Sequence, residues 1–324
     1  YKRQAQKLDI GFDATLFKSL NFAATFFNEN RSNILVGSGN VVSGVIGIGV
    51  PQLANGEVSN KGIETALSWN KTINDLQIAL TGNFTYAKNE IVENNEGFRP
   101  YDYLYKKGNS LDQHYGLESV GFFSSPDEID AAPVHTFYPV QPGDIRYKDQ
   151  NNDNKIDEDD YVLLGKSDLP EIYYGFAIDL KYKNFGLDMT FQGVSNRTIY
   201  LQTASLFRPL RNNNNISSWY LEENTRWTPE TASSANLPRL STTSNDNNYR
   251  KSDVWLENGA FFKLRNVNLY YNLPINKGRI KHAQIYVRGA NLFSVDQLKY
   301  ADPEMYTANY PNMSTYTIGL NISF

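Results

Sequence analysis

The dominant pattern in this chain is a strict alternation of apolar and polar residues, repeated in separate segments along its length. A period of two residues puts successive side chains on opposite faces of a β-strand, so each segment predicts a strand with one apolar and one polar face. No stretch of comparable length follows the helical period. Six clear segments are residues 8–16, 63–69, 76–86, 174–182, 185–191 and 316–324. The alternation therefore predicts an all-β protein.

Charged side chains occupy the polar positions of these segments. In a soluble sandwich, two apolar faces would meet in a core and the polar faces would contact water. In a membrane barrel, the apolar faces would contact lipid and the polar faces would line a lumen. Alternation by itself fits both arrangements. The charged positions expected on the lumen side of a barrel are Asp9, Asp13, Glu64, Asp179, Lys181 and Asp188.

The lengths of the connections favour the barrel. Short turns join strand pairs at residues 17–20, 73–75 and 183–184, whereas long links rich in Asn, Ser, Gly, Asp and Pro join the pairs to each other. Short periplasmic turns and long extracellular loops are typical of outer-membrane barrels. Compact soluble domains rarely contain structureless loops of this length. The predicted long links cover residues 29–61, 88–115, 194–256 and 294–312.

Aromatic residues crowd the ends of the predicted strands. Tyr and Phe at these places are typical of the interfacial girdles of membrane barrels. The alternative is the ordinary enrichment of aromatic residues in any β-strand. The six positions expected in a girdle are Tyr86, Tyr173, Tyr174, Tyr182, Tyr270 and Tyr271.

Counting alternating segments gives about eleven strands. With short turns on the periplasmic side, the last strand ends in the periplasm, and Tyr1 lies on the outer side. Complete bacterial barrels have an even number of strands, so we expect this chain to be the C-terminal part of a larger barrel. The predicted strands begin near Leu8, Asn21, Gly62, Leu76, Gly116, Gly143, Ile172, Phe185, Phe261, Gln284 and Ser314.

The amino-acid composition excludes several classes of function. The chain has 324 residues, 31 basic and 35 acidic side chains, a net charge of −4 and no cysteine. The absence of cysteine excludes a disulfide scaffold, a Cys-ligated zinc site and a thiol nucleophile. Balanced charge argues against a nucleic-acid partner. The low mean hydropathy of −0.51 is compatible with a membrane barrel, because transmembrane strands alternate with polar positions.

An ordered series of short segments resembles the C-terminal barrel of the SusC/RagA family of TonB-dependent outer-membrane transporters. The longest are GDIRYKDQNNDNKIDEDDYVLLG from Gly143 and YYGFAIDLKYKNFGLDMTFQGV from Tyr173. The terminal residues 316–324 are similar to the C-terminal signal read by the barrel-assembly machinery. The shorter matching segments are residues 55–64, 108–111, 121–123, 227–229, 238–240, 252–259, 264–267 and 289–293.

This resemblance implies a 22-stranded, plugged, antiparallel transmembrane barrel, of which residues 1–324 would form the C-terminal portion. It also implies import of oligosaccharides or peptides across the bacterial outer membrane, with a SusD-like surface lipoprotein as a lid. Energy would come from TonB–ExbB–ExbD through a plug domain. The plug, the TonB box and the N-terminal strands are expected outside this chain, in a neighbouring part of the same transporter. The substrate itself cannot be deduced from barrel strands.

A candidate metal site lies in an acidic loop between two predicted strands. Its residues fall at positions 1, 3, 5, 7, 9 and 12 of a twelve-residue loop, which is the oxygen-ligand spacing of an EF-hand-type calcium site. Asn154 replaces the usual Gly at position 6, and an Asp replaces the usual Glu at position 12. The alternative is a solvated acidic turn. The predicted ligands of a structural Ca²⁺ are Asp149, Asn151, Asp153, Lys155 through its carbonyl, Asp157 and Asp160.

The sequence offers no recognisable catalytic constellation. His114, His135 and His282 lack metal-type partners at nearby spacings, and we expect each in a loop or at a strand end. A nucleophile elbow, a Walker loop and a facing pair of glycosidase carboxylates are also missing. We therefore expect a protein that is not an enzyme and needs no cofactor for transport. Gly-rich residues 44–49 are expected to form a flexible loop.

The longest predicted link carries residues suited to binding sugars or carboxylates. Tyr and Trp rings stack on sugar rings, and Arg side chains grip carboxylates, so this link is a candidate for contact with substrate or lid. The alternative, which we favour, is a loop that packs on itself. The residues are Arg208, Arg211, Trp219, Tyr220 and Trp227.

The sequence thus predicts the barrel subunit of a SusCD-type importer, with outer-membrane lipid around it. The main alternative is a secreted β-sandwich module that binds glycans or mediates adhesion and carries a calcium loop. A barrel-embedded hydrolase and a siderophore or cobalamin receptor are weaker alternatives.

Overall fold

A computed structural model describes residues 3–37, 52–201, 216, 225–275, 280–298, 301–305, 310 and 312–324. Within these residues one α-helix, α1 (Pro126–Asp130), and three short 3-10 helices accompany the strands. None of the described helices is long and apolar enough to cross a membrane. The strands in chain order are β1 (Gln4–Leu16), β2 (Leu20–Val36), β3 (Leu53–Ile73), β4 (Leu76–Glu93), β5 (Gln113–Gly116), β6 (Ser119–Phe122), β7 (Val134–His135), β8 (Ile145–Tyr147), β9 (Lys155–Ile156), β10 (Val162–Ser167), β11 (Ile172–Tyr182), β12 (Phe185–Ser195), β13 (Thr198–Tyr200), β14 (Leu256–Asn258), β15 (Phe261–Leu273), β16 (His282–Asp296) and β17 (Thr315–Ser323).

Nine of these strands form one antiparallel sheet in the order β1-β2-β3-β4-β11-β12-β15-β16-β17. Each strand pairs with the next member along the chain, as in an up-and-down wall. The expectation of an all-β antiparallel wall is confirmed. The sheet is an open arc in which β1 and β17 form the two edges.

Among the described residues, the large sheet contains nine of the about eleven strands that the sequence predicts. The strands expected near Gly116 and Gly143 lie outside the nine-stranded sheet. Gly116 ends the four-residue β5, which pairs with β10, and Gly143 adopts a left-handed φ of 89° in a turn before β8. Both segments are too short to span a membrane, which takes ~9–11 residues per strand.

Short turns define one rim of the sheet. The predicted tight connections are confirmed at residues 17–19, 74–75 and 183–184. Left-handed residues close them, with φ of 59° at Lys18, 53° at Asn74 and 52° at Lys183. The amide of Lys281 donates to the carbonyl of Ser323 at 2.8 Å, so the end of β17 lies at this same short-turn rim.

The long links leave the opposite rim, which we call the outer rim, and within the described residues the first two contain more strand than predicted. β2 continues to Val36 and β3 begins at Leu53, so much of the expected link at residues 29–61 is strand. The connection from β4 to β11 contains three two-stranded sheets, β5–β10, β6–β8 and β7–β9, rather than structureless loop. The whole connection from β4 to β11, which contains these small sheets, and residues 225–260 together form what we call the cap.

The hydrophobic core of the described residues lies in the cap. One cluster contains Leu117, Ile145, Tyr147 and Ile156, and a second surrounds Trp255. The Trp255 indole donates to the carbonyl of Asn248 at 2.7 Å. The amide of Leu117 donates to the carbonyl of Lys251 at 2.9 Å and joins the two halves of the cap.

The nine-stranded sheet, in contrast, leaves its apolar face uncovered. Ile10 is 61% exposed, Phe12 58% and Ile318 80%. Cross-strand register aligns these side chains in rows, such as Phe12, Ala24, Thr65 and Phe84 on β1 to β4. No second layer packs on this face in the part of the chain that is described. A contiguous apolar patch of this extent marks a surface that contacts something other than water.

Tyr–Gly pairs tighten the polar face of the sheet. The Tyr270 ring lies over Gly186, where an added Cβ would come within 2.0 Å of the ring, and the Tyr286 ring lies over Gly319 in the same way. Tyr270 and Tyr286 are themselves cross-strand partners. An aromatic side chain that covers a cross-strand glycine supplies the packing that glycine lacks.

The register also corrects the predicted aromatic girdle. Tyr173 pairs with Thr85 on the polar face, and Tyr270 covers Gly186 on that face. Successive side chains of a strand point to opposite faces. Tyr173 and Tyr174 therefore lie on different faces of the sheet, and so do Tyr270 and Tyr271. The residues that do lie on the apolar face are Tyr86, Tyr174, Tyr182 and Tyr271.

Candidate functional site

The polar face of the sheet collects the charged side chains that alternation selects. Its central row runs through Asp13, Ala23, Ala66, Asn83 and Gly175 in direct cross-strand register. Side chains two residues apart on a strand share a face. The prediction that six charged positions face the same way is therefore confirmed for Asp9, Asp13, Glu64, Asp179, Lys181 and Asp188.

Toward the short-turn rim, this face carries a chain of polar contacts. Asp179 and Asp188 are direct cross-strand partners, and Asn268 donates to the carboxylate of Asp188 at 2.8 Å. Arg288 donates to Asn268 at 3.0 Å and stacks on Tyr286, with 4.1 Å from its guanidinium carbon to the ring centroid. The contacts hold charged groups of both signs along the polar face.

Near the outer rim, the polar face holds a buried ion cluster. The Lys263 ammonium, whose side chain is 3% exposed, lies 2.9 Å from Asp302 and 3.0 Å from Glu304. Arg265 donates to Glu304 and, at 2.9 Å, to Gln192. Burial would raise the pKa of Glu304, but the hydrogen bonds from Arg265 and Lys263 lower it below the usual value. The cluster fastens residues 301–305 of the last long link to the wall.

A β-bulge makes this cluster possible. The pairing of β15 with β12 skips Arg265, so β15 carries one extra residue there, and its pairing with β16 is also irregular between Leu264 and Asn266. Lys263 then stays opposite Gln192 on the polar face, while Leu264 stays opposite Phe191 on the apolar face. The sequence analysis did not identify this cluster. Its signal was two cations two residues apart in an otherwise apolar run.

The acidic loop at residues 149–160 folds around its own backbone. The Asp149 carboxylate accepts from the amides of Asn152 at 2.7 Å and Asn154 at 2.9 Å, and Asp153 accepts from Lys155 at 2.9 Å. Asn154 has a φ of 63°, the left-handed conformation expected at the position where EF-hand loops have glycine. The carboxylates are thus bound into an ordered turn.

The second half of the loop is pinned differently. Asp160 is buried and accepts from the amides of Gln150 at 2.8 Å and Asp157 at 2.9 Å, and burial raises the pKa of its carboxyl group. Tyr103 donates to the carbonyl of Asp159 at 2.8 Å, and burial raises the pKa of Tyr103 to about 12. Among the described residues no group of three His, Asp or Glu side chains is placed to hold a metal ion. Metal binding here stays a prediction.

Asp144, next to the loop, is the polar centre of the cap and was also missed by the sequence analysis. It is fully buried and accepts hydrogen bonds from the side chains of Asn245 at 3.0 Å, Asn248 at 2.8 Å and Arg239 at 3.2 Å. Its partners lie about a hundred residues away, which no local pattern reveals. The available signal was its place in the Gly-Asp start of the longest family-like segment.

The three histidines have structural partners. His114 is buried within β5 and bonds to the carbonyl of Thr198 at 2.9 Å, which differs from the expected loop or strand-end position. His135 lies between the rings of Phe123 and Tyr147, and burial lowers its pKa. His282 begins β16 and lies beside Asn272.

The aromatic and basic link can be assessed only at Trp227. Its ring packs against Gly143, where an added Cβ would come within 2.4 Å. Trp227 is therefore a packing residue of the cap, as a self-packed link requires. Arg208, Arg211, Trp219 and Tyr220 lie outside the described residues, and so does the Gly-rich segment at residues 44–49.

Sequence comparison relates nearly the whole chain to proteins named TonB-dependent receptors. The chain is 27% identical to TonB-dependent receptor P26 of Formosa agariphila over 98% of its length and 24% identical to TonB-dependent receptor P3 of the same organism over 99%. It spans 34% of the length of each of these two relatives. No family model matches the chain.

Structural comparison gives the same picture of the fold. The chain superposes on the RagAB peptide transporter with a TM-score of 0.75 at 20% identity, covering 99% of this chain and 35% of that one. The open-open state of the RagAB peptide importer gives a TM-score of 0.71. The resemblance to SusC/RagA-type TonB-dependent transporters is confirmed, and this chain has the fold of the matching third of the RagAB peptide transporter structure.

Proposed function

We propose that this chain is part of the barrel wall of a TonB-dependent outer-membrane importer for oligosaccharides or peptides. The observation that carries the proposal is the two-faced sheet, with exposed apolar side chains on one face and charged side chains of both signs on the other. Lipid would contact the apolar face and the solute would pass along the polar face. Charged side chains on the lipid side would cost ~2–4 kcal/mol each near the midplane.

The remaining components of the importer would be supplied by the rest of the protein and by partner proteins. The chain spans about a third of the length of its curated relatives, which supports its being one portion of a larger transporter. We propose that residues 1–324 are the C-terminal portion of the barrel, as the family-like segments imply. The N-terminal strands and plug would then belong to the remainder of the protein. The relatives are named TonB-dependent receptors, which supports energy input from TonB–ExbB–ExbD through that plug. A SusD-like lipoprotein would cover the outer rim.

Passage would be gated rather than chemical. Solute would be captured between the outer rim and the lid, and displacement of the plug would then open the polar face to it. RagAB is described as a peptide transporter, which supports a peptide cargo without excluding an oligosaccharide. Asn, Gln, carboxylate and ammonium groups on the polar face can replace water around either class.

The alternative is a secreted β-sandwich that binds glycans or mediates adhesion. A sandwich needs a second sheet packed ~10 Å from the first to cover its apolar face. In the described ranges, the small cap sheets instead pack around their own cores of Leu117 and Trp255. The uncovered apolar face therefore favours the membrane wall.

A structural calcium site in the acidic loop is part of the proposal. Five of its six residues supply side-chain oxygens, and calcium prefers six to eight hard oxygen ligands. Calcium titration of the full-length protein, followed by calorimetry, should give a binding isotherm. Asp153→Asn together with Asp157→Asn should abolish it, whereas Asp127→Asn in α1 should leave it unchanged. Identical isotherms for all three proteins would exclude this loop as the site.

The function itself is tested by affinity purification of the tagged full-length protein from detergent-solubilised outer membranes, read by mass spectrometry. We expect co-purification of a surface lipoprotein and loss of solute uptake when either gene is deleted. A protein that stays in the aqueous phase without detergent and is recovered alone would contradict the membrane wall.

A further inference from the structure

The apolar face of the sheet changes character abruptly on β2, β3 and β4. Phe26, Ile63 and Tyr86 form one cross-strand row on that face. Two residues closer to the outer rim, on the same face, the next row is Asn28, Lys61 and Lys88. Two residues of strand measure ~6.6 Å, so the surface turns from apolar to cationic within one step of the pleat.

A second lysine on β3 lies close to the short-turn rim, two residues before Ile73 at the end of the strand. Lys71 lies on the same face as Lys61, because the two are ten residues apart and side chains alternate. Ten residues of strand measure ~33 Å, which a tilt of ~40° reduces to a height of about 25 Å. This is the height of the apolar band of outer-membrane barrels. In the proposed wall, Lys61 would therefore lie at the level of the outer-leaflet headgroups.

Lys61 and Lys88 are direct cross-strand partners. Like charges in that position repel, since the Cβ atoms of such a pair lie about 4.5–5.5 Å apart. Within the described ranges no carboxylate lies at ion-pair distance from either ammonium. Glu90 shares their face but pairs with Ser59, and Glu29 and Glu64 lie on the polar face. A bound anion would relieve the repulsion.

We propose that Lys61 and Lys88, with the amide side chain of Asn28 beside Lys61, bind the phosphate of an anionic lipid in the outer leaflet. A phosphate monoester carries nearly two negative charges at neutral pH and matches two ammonium groups. The row of Phe26, Ile63 and Tyr86 directly below gives the acyl chains an apolar contact, which a free phosphate ion would not use. The inference rests on the proposed membrane wall and adds a lipid site to it.

The test is native mass spectrometry of the full-length protein in mild detergent, titrated with dioleoylphosphatidic acid. Each lysine near a charged lipid surface contributes about a fivefold effect on binding, so Lys61→Ala with Lys88→Ala should weaken the lipid adduct about 30-fold. Lys61→Arg with Lys88→Arg should retain it. Lys18→Ala with Lys71→Ala removes the same charge near the short-turn rim and should leave the adduct unchanged.

Two probes identify the source of the phosphate. Dioleoylphosphatidylcholine should bind no better to the wild-type protein than to the double alanine variant, and millimolar inorganic phosphate should not displace phosphatidic acid. Equal weakening in both double alanine variants, or displacement by free phosphate, would overturn the lipid site. Those results would leave the membrane wall intact, because its own failure appears separately as a protein that needs no detergent.

Discussion

The wall and the cap use the same apolar side chains in opposite ways. In the wall, Ile10, Phe12 and Ile318 point outward and are more than half exposed. In the cap, Leu117 and Ile145 are fully buried within a few residues of charged loops. Water around both regions would penalise the wall heavily, at about 25 cal/mol for each Å² of apolar surface left exposed. The difference indicates that the two regions are folded for two solvents.

The largest expected effect is on the stability of the cap, because the cap is held together by buried apolar side chains. Trp255→Ala removes a buried indole and its hydrogen bond to Asn248, and should cost the cap about 3–5 kcal/mol. Hydrogen exchange of the full-length protein should show faster exchange across residues 113–167 and 237–258. Phe98→Ala, at an 88% exposed position, is the control and should change nothing. Equal exchange in both variants would mean that the cap is not held by its core.

A matched pair on β17 tests the wall. Ile318 lies on the apolar face, while Thr317 pairs with Arg288 on the polar face. Ile318→Arg should cost about 2–4 kcal/mol by placing a charge in lipid, and should lower the amount of protein assembled in the outer membrane. Thr317→Asp should be tolerated, since it faces Arg288. The comparison fails if the two variants assemble equally well.

The ion cluster links the wall to a loop and should give an intermediate effect. Lys263→Met leaves Asp302 and Glu304 without their shared cation, at a cost of about 2 kcal/mol given that both acids keep some solvent contact. Limited proteolysis should then cut near residues 301–305 faster than in the wild type. Lys107→Met removes an exposed ion pair with Glu93 and serves as the control. Unchanged cutting in Lys263→Met would show that the link is held by other contacts.

The smallest expected effect is a pH dependence of the same link. The pKa of Glu304 is lowered in the folded protein, so its contribution is present above the unfolded value of 4.5 and is lost as pH falls through the folded value. Cutting near residues 301–305 should therefore increase on acidification below about pH 4.5. Glu304→Gln should flatten this dependence. An unchanged pH profile in that variant would assign the effect to another group.

Alternation predicted the nine wall strands and the faces of Asp179 and Asp188, because both depend only on a period of two. It could not fix the outer ends of β2 and β3, since residues 28–33 are polar throughout and residues 55–61 carry Val58 as their one large apolar side chain, so neither stretch shows the alternation. The small strands near Gly116 and Gly143 were assigned to the wall because short apolar runs look alike in a cap and in a barrel.

The contacts of the candidate site that the sequence did not predict join residues that are far apart along the chain. Lys263 meets Asp302 across 39 residues, and Asp144 meets Asn248 across 104. Such contacts are decided by packing and not by neighbouring residues, so a single sequence gives at most a hint of unusual charge placement. The acidic loop could be predicted because all its candidate ligands lie within twelve consecutive residues of the sequence.

The unequal strand lengths have a mechanical consequence. β4 continues seven residues past Tyr86 to Glu93, which is ~23 Å of strand beyond the apolar band. Residues 108–109 of the cap hydrogen-bond to Ile91 on that extension, at 2.8 Å in each direction. A force applied to this part of the cap is therefore transmitted along the β4 extension to the wall. Any partner that docks on the cap pulls on the β3–β4 hairpin as well.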